Sequence, residues 1–418
     1  MAILRLLRRA ATAWAVALLL VEACQADDLS LSQALELAFK NNPSIAAGRL
    51  SADAARQSAR GASALANPEV TVAPSVIGDA GSDSVVFFSQ PLEINGSRKV
   101  RGEIARSSAE AESQGAEVVR RDVALRAKQT YWEVAEAQEL VRLNQDNLKY
   151  LEALGAAVRK QFGVGSVPGS QTMKTDVELA RARQELAQAE LGLIHAKYAL
   201  NTLLNRPVGT DLTVSEAMPA TQASFDPAKL RETAFGTRPE IAAAQARADE
   251  AGGRVRAIRL AGMPDLAVQA RRDSFDSDGD GGVALAITVP VVDWGSRRAE
   301  RAAAETIVQS GGKVLEAERN QVALEVEQAL QSVGAASRIL GEYEGDILDK
   351  SEKLAGMART GYEKGATSYL EVLEAQRTLR SIKTTYYSAL ANYAKALAQL
   401  EWASGFDLPA PGSPEVKK

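Results

Sequence analysis

Chemistry needs particular side chains at particular spacings, and this sequence offers few of them. Its 418 residues include one His and one Cys, almost no raw material for a thiol enzyme or a soft-metal site. His195 has no neighbouring His or Cys and reads as a packing or surface residue. No GxSxG elbow, Walker loop, HExxH pair or Cys/His couple is present, so an enzyme is not expected, nor a cofactor. The stretch from Asp273 to Gly282 opens like a calcium loop, with Asp276, Asp278, Asp280 and Gly281, but its twelfth position is Ile287 instead of Glu. It fits an extracellular hairpin loop better, and no metal site is assigned. Glu371 and Glu374 lie one helical turn apart and share a face, which by itself describes a solvated acidic surface.

The bulk of the chain points to long packed helices. Hydrophobic residues make up 46% and aromatics only 5%. Alanine is abundant, as close side-by-side helices favour. A formal charge of −4 gives no reason to expect nucleic acid as a partner. At the N-terminus, Arg5, Arg8 and Arg9 precede an apolar run from Ala10 to Val21, and small residues follow at Ala23 and Ala26. This is the pattern of an export signal over 1–26, too short to span a bilayer. Cleavage after Ala26 leaves a mature chain without cysteine. A rival reading takes Val21-Glu22-Ala23-Cys24 as a lipoprotein box with Cys24 acylated, though Glu22 fits such a box poorly. No later stretch is long and apolar enough for a transmembrane helix, so any membrane span must be a β-barrel.

The sequence is a tandem duplication. Asn42-Pro43-Ser44-Ile45 matches Arg238-Pro239-Glu240-Ile241, Pro68-Glu69-Val70 matches Pro264-Asp265-Leu266, and Gly96-Ser97-Arg98 matches Gly295-Ser296-Arg297. Phe162 and Gly165 match Tyr362 and Gly365. Each copy opens with short helices (31–39 then 44–66; 227–234 then 239–261) and continues with two strands (68–77 and 83–94; 264–274 and 281–292). Val283, Leu285, Ile287 and Val289 alternate with smaller residues, the period of a strand with two unlike faces. Four strands cannot close a barrel, and an open sheet in lipid would expose unpaired edges, so several subunits must share one barrel.

Very long helices follow the strands, Ser97 to Phe162 and Ser296 to Tyr362, each reaching roughly 100 Å if unbroken. Returning helices are predicted over 170–204 and 367–402, with Pro168 and Gly169 interrupting the first. Val134, Ala137, Val141, Asn144, Leu148 and Leu151 step by threes and fours, as do Leu379, Ile382, Tyr386, Ala389, Tyr393, Ala396 and Leu400. Gly165 and Gly365 fall where long helix meets returning helix, a place for positive φ. Trp294, Phe87 and Phe88 fit either an interfacial aromatic girdle or packing between barrel and helices.

This arrangement resembles the TolC-like outer-membrane efflux proteins over nearly the whole mature chain. The resemblance is carried by Leu31-Ser32-Gln33-Ala34-Leu35 with Asn42-Pro43, by Pro290-Val291-Val292-Asp293-Trp294-Gly295, and by Gly365-Ala366-Thr367-Ser368-Tyr369-Leu370-Glu371-Val372-Leu373-Glu374-Ala375. It implies a mainly α protein whose tandem helical hairpins form a periplasmic α-barrel. Four strands per subunit would complete a twelve-stranded β-barrel in a homotrimer. The implied partners are outer-membrane lipid, a periplasmic adaptor and an inner-membrane pump of the RND type. By the same resemblance the Gly165 and Gly365 turns are adaptor-contacting tips, Glu371 and Glu374 ring the channel entrance, and Tyr362 helps hold it closed. The expected organisation is a signal (1–26), a first repeat (27–205; strands 68–94, hairpin 97–204), a linker (206–225), a second repeat (226–404; strands 264–292, hairpin 296–402) and a tail (405–418).

With its short loops and Asp27-Asp28-Leu29-Ser30-Leu31 start, the chain resembles the heavy-metal efflux subgroup of that family, and the resemblance implies heavy-metal cations, or else drugs, as the cargo. The mature chain has no His/Cys/Met cluster to select a metal, but the pump chooses the cargo and the duct need only conduct it. A protein-secretion duct uses the same fold and stands as the alternative. A periplasmic adaptor is disfavoured, because adaptors carry one central hairpin flanked by β domains.

Overall fold

The computed structural model describes residues 27–73, 85–220, 225–272 and 281–405. The signal segment, Cys24, most of the two hairpin loops and the tail after 405 lie outside these residues. In chain order the elements are β1 (Asp27–Leu29), α1 (Leu31–Asn41), α2 (Pro43–Ala62), β2 (Glu69–Ala73), β3 (Val85–Pro91), α3 (Ser97–Gly163), α4 (Gly169–Leu203) and β4 (Leu212–Val214). Then come α5 (Pro227–Thr237), α6 (Pro239–Leu260), β5 (Asp265–Arg272), β6 (Gly281–Thr288), α7 (Ser296–Glu342), a π-turn (Tyr343–Ile347), α8 (Leu348–Glu363) and α9 (Tyr369–Ser404). The fold is mainly helical.

Local chemistry sets the boundaries. Ser30 caps α1 through a capping box with Gln33. Pro239 opens α6 at a position where its missing N–H costs nothing. Strand β6 stops short of Pro290, which cannot donate to a ladder. Pro168 does not interrupt the returning helix, as the sequence pattern suggested; it is the N-cap, and α4 begins at Gly169.

Strands β2, β3, β5 and β6 form one antiparallel sheet in that order, which leaves β2 and β6 as open edges among the described residues. Residues directly opposite one another share a face. Val70 faces Phe88, Phe88 faces Ala270, and Ala270 faces Val283. In the next rows Val268 pairs with Leu285, and Leu266 with Ile287. One face is therefore largely apolar, interrupted by Gln90 in the Val268–Leu285 row and by Arg272 at one end. Val283, Leu285 and Ile287 are 78%, 60% and 64% exposed on it. The opposite face carries Thr71, Ser89, Gln269, Ala267, Ala284, Ala286 and Thr288, small or polar apart from Phe87.

The second long helix contains one residue more than the first. Gly96 and Gly295, both at positive φ, are 199 positions apart, whereas Gly165 and Gly365 are 200 apart. The surplus residue is absorbed at the π-turn, where the Leu348 N–H donates to the Tyr343 carbonyl five residues back. An added residue in a regular α-helix would rotate everything after it by about 100°. Taken up in a π-turn, it lets α8 finish in phase.

The chain folds into two compact units, each assembled from pieces of both sequence copies. One unit takes 44–120 and 235–324, hence the sheet, α2, α6 and the first parts of α3 and α7; its core is built largely from Ala and Val, including Ala52, Ala109, Ala244 and Val322. The other takes the remainder. There β1 pairs in parallel with β4, an element the sequence pattern did not predict. Buried Tyr131 donates to the Leu29 carbonyl (2.9 Å) and accepts from the Glu216 N–H (3.2 Å), which fixes this pair of strands onto α3. Seam residues Val134, Val141, Leu151, Ala389, Tyr393 and Leu400 are buried in this unit, while Ala137, Asn144, Leu148, Leu379, Ile382, Tyr386 and Ala396 are half-buried.

Candidate functional site

The sequence-predicted residues gather where α3 turns into α4 and α8 turns into α9. Both turns use the same Schellman geometry. Gly165 (φ 75°) donates its N–H to the Phe162 carbonyl, and Ser166 donates to that of Gln161, both at 2.9 Å. Gly365 (φ 74°) donates to Tyr362 at 3.0 Å, and Ala366 to Gly361 at 2.8 Å. These bonds satisfy the last carbonyls of each long helix and require a residue free to adopt positive φ.

The two turns hand over to their returning helices differently. Ser368 caps α9 in a reciprocal box: its Oγ accepts from the Glu371 N–H (3.3 Å), and the Glu371 carboxylate accepts from the Ser368 N–H (3.1 Å). In the first copy that position is Pro168, which offers no side-chain cap. The Glu371 side chain thus has a local structural task. Glu374, one turn on, is exposed beside Arg377.

Tyr362 joins the copies, its hydroxyl donating to the Gln161 side chain at 3.0 Å while its ring lies 6.2 Å from that of Tyr369. Burial raises the pKa of both phenols, so both stay neutral at physiological pH. Beneath them Leu151, Leu154, Val158, Leu179, Val372 and Leu373 form one cluster from α3, α4 and α9. Tyr369 and Thr175 share a buried hydrogen bond of 2.5 Å. Since Thr175 donates to the Gln171 carbonyl (2.8 Å), Tyr369 is the donor. Further along, Arg377 pairs with Glu178 and Arg380 with Glu185, lacing α9 to α4. The hydrogen bonds that Arg377 donates to Glu178 raise the Arg377 pKa, which reinforces the pair. Among the described residues the arrangement shows no nucleophile–base geometry; what it can do is hold hairpin ends together and present carboxylates.

A family model described as outer membrane efflux protein matches residues 34–206 and again 230–405. The chain belongs to the outer membrane efflux protein family. Among similar proteins of that kind is the cobalt-zinc-cadmium resistance protein CzcC of Cupriavidus metallidurans, 25% identical over 385 residues that cover 90% of each chain. The solvent efflux pump outer membrane protein SrpC of Pseudomonas putida is 28% identical over 60% of this chain and 55% of its own length. The crystal structure of CusC superposes with a TM-score of 0.77 over 91% of this chain and 93% of CusC, at 20% identity. As an outer membrane efflux protein, the chain is a transport component of the outer membrane. It acts as a homotrimer with a periplasmic adaptor and an inner-membrane RND pump.

Several residues of this outer membrane efflux protein's hairpin ends escaped sequence reasoning. Gly361 packs so tightly that a Cβ there would lie 2.0 Å from Thr367 Oγ1. Gln161, Thr175, Glu178 and Arg377 belong to the same junction. Their contacts cross between copies, 194 to 201 positions apart, a separation that helical spacing within one element does not reveal. The one available signal was the repeat itself, since Gln161 aligns with Gly361 and so marks a place where the copies differ.

Proposed function

We propose that three copies of this chain join their sheets edge to edge into a twelve-stranded barrel, and that the resulting duct conducts heavy-metal cations out of the cell. The observation that carries the barrel is the sheet: one face largely apolar and exposed, the other largely small and polar, with β2 and β6 each lacking a second neighbour among the described residues. Lipid tolerates no unpaired edge, and three four-stranded sheets closed in a ring leave none. The apolar face meets lipid and the other face lines the lumen. Each chain supplies two repeats, 27–205 and 226–404. The Gly165 and Gly365 turns are the adaptor-facing tips. Glu371 and Glu374, repeated by threefold symmetry, set a ring of carboxylates at the entrance, and Tyr362 braces it. The duct performs no chemistry.

The metal cargo is supported by the end-to-end likeness to CzcC, whose name records cobalt, zinc and cadmium resistance. A second reading, efflux of organic solvents, is favoured by the likeness to SrpC over a shorter stretch. Growth-inhibition curves of a parent strain and a deletion strain decide between them. Selective sensitivity to Zn, Co, Cd, Ni, Cu or Ag salts supports metal export. Sensitivity confined to solvents, dyes, detergents and antibiotics removes it. No change in any arm would point to a redundant duct or to protein secretion.

A further inference from the structure

We infer that the two junctions between sheet and long helix form a cationic collar that holds the phosphate headgroups of anionic phospholipid at the helical edge of the membrane band. This rests on the membrane placement of the sheet proposed above. The junctions are copies of one another: Gly96-Ser97-Arg98-Lys99 leads into α3 and Gly295-Ser296-Arg297-Arg298 into α7. Arg98, Lys99 and Arg298 are exposed in the first turns that follow β3 and β6, and Arg60 is exposed in the last turn of α2, which leads toward β2.

Five acids of the same region are engaged. Glu93 is paired with Arg101, Asp293 lies 3.7 Å from Arg297, Glu103 3.1 Å from Arg256, and Glu305 2.8 Å from Arg301. Glu300 accepts from the Ser296 hydroxyl at 3.0 Å. Inner arginines thus engage Glu93, Asp293, Glu103 and Glu305, while Glu69 and Asp265, at the same end of the sheet, form no ion pair among the described residues. Among the described residues, neither Lys99 nor Arg298 forms an ion pair. Helix formation does not select these cations, because the macrodipole disfavours positive charge in a first turn. A chain of net charge −4 nevertheless places them there twice.

Trp294, 95% exposed, comes just before Arg297 and Arg298 in the chain. An aromatic ring next to cations at the rim of an apolar band is the pattern of a membrane–water interface. Cations at that depth attract anionic headgroups, by about fivefold in occupancy each, an attraction that salt screens. Threefold symmetry would carry the collar round the barrel.

The test uses full-length trimers in nanodiscs of phosphatidylethanolamine containing a minor fraction of phosphatidylglycerol. Native mass spectrometry counts the lipids retained after mild delipidation. Wild-type protein is expected to retain phosphatidylglycerol about fivefold or more above its bulk fraction. Combined Arg98→Gln, Lys99→Gln and Arg298→Gln substitutions should abolish the enrichment, and the pair Arg98→Lys and Arg298→Lys should keep it. Absence of enrichment, or equal enrichment in the Gln variant, overturns the collar. Enrichment that inorganic phosphate competes away in full would assign the cations to free phosphate and overturn it as well. Failure of the wild-type protein to insert in any bilayer would instead remove the membrane placement, a result distinct from insertion without lipid preference.

Discussion

At the scale of single residues, the same substitution has opposite consequences at different glycines, and the backbone says which. Gly334 in α7 has open space around a would-be Cβ and ordinary helical φ, so Gly334→Ala should stabilise the protein by about 0.5–1 kcal/mol. Gly365 also has open space, but its φ of 74° makes any side chain strained, so Gly365→Ala should cost about 1–2 kcal/mol. Gly361→Ala fails for a third reason, collision with Thr367. Chemical denaturation of the three variants checks the signs; a stabilised Gly365→Ala would refute the Schellman account. Glu371 demands similar care, because it both caps α9 and carries charge. Gln can complete the capping box, so Glu371→Gln with Glu374→Gln removes the charges and keeps the cap. Trimers should remain intact while block of the pore by multivalent cations weakens in lipid-bilayer recordings. Unchanged block would take both residues out of the entrance. Glu371→Ala, by contrast, should cost about 1 kcal/mol through the lost cap alone.

At the scale of elements, the π-turn makes the two copies unequal. If Tyr343–Ile347 holds the residue that the first copy lacks, deleting Gly345 should close the turn into regular α-helix and leave α8 in phase. Deleting buried Ala329 should instead rotate every later residue out of its packing. Melting curves and circular dichroism of the two deletions should differ sharply, with the Gly345 deletion near wild type. Equal damage from both would mean that the π-turn is not where the surplus sits. The sequence already held the drift from 199 to 200 between anchors, but not its location, because α- and π-geometry share the same apolar spacing to within a residue. Long helices and strand pairs were legible because repetition doubled every signal. Pairing of β1 with β4 was not, since three-residue strands carry no period and depend on Tyr131, some hundred positions away. Pro168 was misread for a related reason: a helix-breaking residue and a helix-starting one are the same residue, and only the position of the preceding turn distinguishes them.

At the scale of the whole molecule, everything depends on which side of the sheet meets lipid. The alternation over β6 puts Leu285 on the apolar face and its neighbour Ala284 on the other, with the same backbone and adjacent positions in one edge strand. An arginine on the lipid side of a barrel costs about 2–4 kcal/mol near the midplane, whereas a lumen position tolerates charge and changes conduction instead. Leu285→Arg should therefore lower the yield of heat-resistant, membrane-inserted trimer, and Ala284→Arg should assemble normally with altered single-channel conductance. The comparison controls for edge-strand chemistry, because both variants add the same side chain to the same strand. If both assemble equally, the exposed Val283–Leu285–Ile287 stripe is not a lipid surface, and the open edges would need another closure than three sheets in a ring. If Ala284→Arg alone fails, the faces are reversed and the apolar stripe points inward, which an aqueous path for cations could not accommodate.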